Sequence, residues 1–244
     1  MSNSPNAAEP VAARAHQAGP LRVRVWDLPL RLFHWLLVLC LIGSFATIKT
    51  GLMEWHFRFG YAALGLIVFR ILWGLAGPRY ARFSSFVYSP RATFAYLSNA
   101  SQAPRTLGHT PMGALSVFAL LAIVAIQAGA GLFTSDDIAS EGPLARLASN
   151  AFVAQASWLH HFNEPVILGL VGLHLAAILY YRVFGRQSLV KPMVVGDKLL
   201  APDPAHPDPS NLAARDDLAV RLRAVAVAVF AAAIVAAVVN WPLV

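Results

Sequence analysis

Four histidines lie in or at the mouths of long apolar runs, and their spacing is the main chemical signal in the chain. His160 and His174 are 14 residues apart. At about 1.5 Å and 100° per residue, that separation is roughly 21 Å along a helix and returns to within some 40° of the starting direction. Both imidazoles therefore look to one face at opposite depths. His34 lies just inside the first apolar run and His56 opens the second, which pairs His34 with His174 and His56 with His160. An ionisable side chain in lipid is costly and faces the bundle interior, where it does a job. Imidazole is a good iron ligand at neutral pH, and two of them from two helices can clamp one planar macrocycle. With both axial positions filled by protein, such an iron binds neither O₂ nor substrate and passes single electrons. The spacing points to two bis-histidine haems, one near each membrane surface. Structural or proton-relaying histidines in a transporter are the other reading.

Several neighbours compete for or support these roles. His161 points about 100° away from His160 and is the alternative ligand or a supporting residue. His109, in the loop before the third apolar run, is a candidate contact for a haem propionate or a quinone. Arg31 and Arg70 are candidate propionate partners, since guanidinium matches carboxylate geometry; snorkelling to the surface is the plainer account of Arg31. Glu164, one turn after His160, could pair with a base. Trp26, Phe33, Trp35, Trp55, Phe57, Phe59, Trp73, Trp158 and Phe162 form either an apolar wall around the cofactors or an interfacial belt. His16 and His206 fall in polar stretches and are expected to be solvated.

Positioning such residues requires membrane-crossing helices, and the composition provides them. The chain has 244 residues, 57% hydrophobic and 13% charged, with mean hydropathy +0.58; soluble domains carry about 25% charged residues. Apolar runs at about 28–48, 56–76, 111–133, 156–181 and 220–241 each approach the ~20 residues that cross a bilayer. The expected architecture is all-α: an integral membrane helical bundle with a four-helix di-haem core and a fifth C-terminal transmembrane helix. Its parts are a disordered cytoplasmic tail (1–21), the four-helix domain (22–182), a proline-rich cytoplasmic linker (183–217) and the last helix (218–244). Ser89-Pro90-Arg91 has the cap and first-turn proline of a short helix start between the second and third spans. The first apolar run is long enough to stay in the bilayer, so no cleavable secretory signal is expected.

Of the nineteen Lys and Arg, fifteen fall in the N-terminal segment, the second-to-third connection and the fourth-to-fifth connection. The positive-inside rule then puts the N-terminus in the cytoplasm and the C-terminus in the periplasm of a bacterial inner membrane. The net charge of +7 reflects this topology; no nucleic-acid-binding motif accompanies it. The single cysteine, Cys40, excludes a disulfide framework, a cysteine zinc site, an iron–sulfur cluster and covalent c-type haem attachment. Cys40 is read as packing.

VWDLPLRLFHW (25–35), HFRFGYAALGLIVFRILWGLAGPRYARFSSF (56–86), GHTPMGAL (108–115) and HHFNEPVILGLVGLH (160–174) occur in that order. Together they resemble the bacterial cytochrome b561 family, which includes the b-type cytochrome subunits of nickel–iron hydrogenases. The resemblance spans roughly 22–182. It implies a di-haem membrane cytochrome b that exchanges electrons with quinone and a redox partner, with His34, His56, His160 and His174 as haem ligands. Two positions depart from the family pattern: Thr110 stands where Asn is usual, and His161 where Glu is frequent.

The expected function is electron transfer between the quinone pool and a c-type cytochrome or a dehydrogenase or hydrogenase subunit, within membrane lipid. The alternatives are a free-standing quinone-linked oxidoreductase of the superoxide or ferric-iron type, and a non-redox anchor or transporter.

Overall fold

The computed structural model describes residues 21–98, 106–136, 138–185, 187–200 and 209–241. Five of its helices are long and apolar enough to cross a membrane: α1 (Leu28–Lys49), α2 (Met53–Ala76), α4 (Pro111–Gly131), α5 (Asn150–Val183) and α7 (Leu218–Asn240). Two shorter ones, α3 (Pro90–Ser98) and α6 (Val190–Val195), lie in the connections, and strands β1 (Leu21–Arg24) and β2 (Asp197–Leu200) pair antiparallel. The protein is a helical membrane bundle, and this pair is the one sheet among the described residues.

Local chemistry sets the helix starts. Asp27, Thr110, Ser149 and Asp217 cap α1, α4, α5 and α7, each accepting a hydrogen bond from a backbone N–H of the first turn. Ser89 does the same for α3, its Oγ accepting from Ala92 N at 3.2 Å, as the Ser-Pro signal predicts. The Ser149 cap also explains why α5 starts earlier than hydropathy places it. Gly51, at φ 72°, makes the left-handed turn between α1 and α2 that a side chain would strain.

α1 packs on α2 and α4 on α5; α2 joins the two hairpins by packing on α4, and α7 lies against α2. A Cβ at Gly43 would sit 2.6 Å from the Phe59 ring, so glycine there is what lets α1 and α2 approach. α5 packs closely on α4 but not on α1 or α2.

The end of the bundle that carries β1 is closed by a packed cap, which the sequence reading did not foresee. β2 lies inside the stretch read as linker and pairs Leu21 with Leu200 and Arg24 with Asp197. Arg24 bonds Asp197 at 2.7 Å and Asp216 at 2.9 Å. Tyr80 Oη donates to Leu212 O at 2.8 Å, and Trp35 Nε1 donates to Met193 O at 3.2 Å. The connections that carry the excess positive charge thus meet at one end. His16, His206 and the tail through residue 20 lie outside the described residues.

Candidate functional site

His56 and His160 meet at the far end of the bundle. Their ring centroids are 6.2 Å apart and their planes lie at 84°. His56 Nδ1 is 3.0 Å from Ser44 O and 3.1 Å from Ser44 Oγ, while His160 Nδ1 is 3.0 Å from Gln127 O. A carbonyl can only accept, so each Nδ1 donates its proton there and Nε2 is the nitrogen left to meet a metal. That is the arrangement by which ligating histidines are oriented. Metal–imidazole bonds run about 2 Å, so an ion gripped between two imidazoles sets their ring centres about 6 Å apart. The 6.2 Å separation matches that spacing.

Glycine makes room for this geometry. A Cβ at Gly131 would lie 3.0 Å from His160 Cε1 and 3.2 Å from its Nδ1. α5 therefore reaches α2 through side chains, although their backbones do not pack together. His161 is exposed and turns back on its own helix, its Nδ1 2.7 Å from Ser157 O. Glu164 pairs with Lys49 at 2.9 Å.

His34 and His174 occupy the capped end of the bundle interior. Both are half-buried and near enough for a charge on one to be felt at the other. His174 Nδ1 is 3.4 Å from Ser116 Oγ, and His34 Nδ1 is buried without a hydrogen-bond partner. The same half of the bundle holds a buried polar cluster around Arg70 and Asp27. Arg70 is 2% exposed, with its guanidinium carbon 4.6 Å from the Phe83 ring centroid and its Nη1 without a partner. A buried, partnerless guanidinium nitrogen is costly, and it suits a ligand carboxylate such as a haem propionate.

Asp27 is fully buried. Its Oδ1 accepts from Leu30 N and from Trp73 Nε1, both at 3.0 Å, and its Oδ2 has no partner. Burial pushes its carboxyl pKa up, and the hydrogen bonds from Leu30 and Trp73 oppose the rise. Sequence reasoning missed Asp27; a carboxylate directly before a Leu-Pro helix start was the available sign. Gly74 lies against Phe83, which a Cβ there would displace.

His109 sits between the Trp26 and Phe86 rings, with centroids at 4.7 and 4.3 Å. Its backbone carbonyl accepts from Tyr88 Oη at 2.8 Å, and its Nδ1 is buried without a partner. Burial, then the nearby Arg70 and Lys198 charges, pull its pKa down to about 3, so the ring is neutral at pH 7. Lys198 Nζ donates to Leu107 O at 2.6 Å and holds this loop on β2. Arg31 is committed elsewhere: it donates to Val194 O and approaches Asp216 at 4.0 Å. Of the aromatics, Trp26, Phe33 and Trp73 are buried, whereas Trp35, Trp55, Trp158 and Phe162 face outward. Cys40 is buried.

The family model for prokaryotic cytochrome b561 matches residues 25–196. No curated protein and no solved structure matches the chain.

Proposed function

The chain belongs to the prokaryotic cytochrome b561 family and is a membrane b-type cytochrome of electron transport; from that premise we propose that it carries two bis-histidine b haems and passes electrons between the quinone pool and a redox partner. His56 and His160 hold one haem at the far end, and His34 and His174 hold the other at the capped end. The observation that carries this reading is the far pair, with both Nδ1 protons given to main-chain carbonyls and the rings one iron's width apart. Haem, when bound, supplies a reversible one-electron iron couple in apolar surroundings.

The protein's own groups do the rest. Ser44 and Gln127 carbonyls fix the far imidazoles. Arg70 offers its free Nη1 to a propionate of the capped-end haem. His109, neutral and with a partnerless Nδ1, meets a quinone head group beside Trp26 and Phe86. The basic end faces the cytoplasm, because it gathers the excess Lys and Arg. The partner is a c-type cytochrome or a dehydrogenase or hydrogenase subunit.

The test is a pyridine haemochrome assay with reduced-minus-oxidised spectra on the purified chain. About two b haems per chain are expected. His34→Ala and His174→Ala should each remove one and spare the other; His56→Ala and His160→Ala should remove the second. A colourless protein made in haem-replete cells overturns the reading. Loss of a haem in His161→Ala but not in His160→Ala overturns the assignment of the far pair.

A further inference from the structure

Helix α7 lies beyond residue 196, outside the stretch the family model matches, yet it completes two adjoining concavities against α2. One, about 300 Å³, is lined by four arginines, Arg79, Arg82, Arg215 and Arg223, at the capped end. The other, about 370 Å³, is an apolar groove along the membrane-facing flank, walled by Leu72, Val227, Ala226 and Phe230. They share Leu75, Ala76 and Arg223, so the charged concavity and the apolar groove adjoin along one wall. No carboxylate lines either chamber. Among the described residues, Arg215 alone of the four is bonded to one, Asp217, at 2.8 Å. Arg79 and Arg223 are steered by weak bonds to backbone carbonyls, Asn211 O and Ala76 O, each at 3.4 Å.

We propose that this cleft between α2 and α7 binds an anionic glycerophospholipid, its phosphodiester among the four arginines and one acyl chain in the groove. The charge is complementary, because basic pockets between membrane helices near a headgroup layer take anionic head groups and arginine matches phosphate oxygens bidentately. The apolar continuation fits an acyl chain and is of no use to a small anion. Helix α7 is thereby fastened to the cytochrome core through lipid as well as through its Ala224, Ala231 and Val235 packing face. This inference does not depend on the haem assignments.

The test is native mass spectrometry of the full chain in detergent, incubated with phosphatidylglycerol, with phosphatidylcholine, or with inorganic phosphate alone. About one phosphatidylglycerol should stay bound, with phosphatidylcholine not retained and millimolar phosphate failing to displace it. The triple variant Arg79→Gln, Arg82→Gln, Arg223→Gln should weaken retention at least about tenfold, each basic residue near an anionic headgroup layer contributing a several-fold gain. Ala226→Trp should do the same by filling the groove with the charges untouched. Circular dichroism checks that each variant folds; if the triple variant does not, Arg82→Gln and Ala226→Trp decide. Equal retention in the variants, or equal retention of phosphatidylcholine, overturns the proposal. Displacement by phosphate with no effect of Ala226→Trp shows a simple anion site and also overturns it.

Discussion

Gly131→Ala is the sharpest probe of the far histidine pair. The new methyl would sit 3.0 Å from His160 Cε1, where ordinary contacts begin at 3.4 Å, so the ring must retreat by about 0.4 Å. The ring is not free to do so, because its Nδ1–H is given to Gln127 O at 3.0 Å. Retreat along that bond stretches it to about 3.4 Å and weakens it, and losing it altogether costs about 1 kcal/mol. The bond is also what orients the imidazole, and disturbing such orienting partners typically costs about 10–100-fold in metal affinity. Gly131→Ala should therefore weaken haem binding at this pair by about tenfold or more, leaving the His34–His174 pair intact. The assay is haem titration of the apo full chain in detergent, followed by difference spectra, with loss of one component on mild heating as a second readout. Gly129→Ala is the control: on the same helix, its Cβ would meet nothing within 4 Å, and it should be neutral or stabilising by up to about 1 kcal/mol. Equal haem affinity in Gly131→Ala and wild type, or equal damage from Gly129→Ala, would refute the reasoning.

Two further outcomes are expected. Asp27→Ala removes the α1 cap and leaves the buried Trp73 indole N–H without an acceptor, so it should destabilise by about 2–4 kcal/mol in thermal unfolding; Asp27→Asn, which retains an acceptor oxygen, should cost clearly less, and a loss below about 0.5 kcal/mol in the alanine variant would contradict the role given to Asp27. His109 titrates near 6.5 when unfolded but near 3 in the fold, so its contribution is complete above about pH 6.5 and is lost progressively as pH falls toward 3. His109→Leu should flatten the dependence of melting temperature on pH in that window and slow quinone-linked reduction with haem content unchanged; an unaltered pH profile would count against the burial argument, and unaltered kinetics against the quinone contact.

The membrane helices were legible because an apolar run of ~20 residues has few alternatives, and the histidine facing was legible because helical periodicity is fixed by the backbone. What orients the histidines was not. Ser44 and Gln127 act through main-chain carbonyls, which any residue provides, so nothing in their identity signals the role. The cap was invisible for a different reason: LRVR alternates apolar and charged residues but over only four positions, DKLL does not alternate, and their pairing joins positions far apart in sequence. In sequence Arg31 and Arg70 are both candidate propionate partners, with snorkelling the competing account above all for Arg31. Packing separates them: each keeps one buried nitrogen without a partner, but Arg31 is bonded to Val194 O on α6 with Asp216 at 4.0 Å, while Arg70 is 2% exposed against the Phe83 ring.

The helix pairing gives the histidine positions a structural consequence. α1 and α2 form one close hairpin and α4 and α5 another, joined by α2 on α4. Each proposed ligand pair takes one histidine from the first hairpin and one from α5, the helix that makes no close backbone packing with α1 or α2. A ligand spanning His56 to His160 or His34 to His174 therefore crosses the boundary that direct helix packing leaves thinnest. Groups that bind the folded arrangement and not the unfolded one stabilise it by mass action. In this bundle that stabilisation would fall on the position of α5 relative to α1 and α2, so the proposed ligands would also fix how the two hairpins stand together.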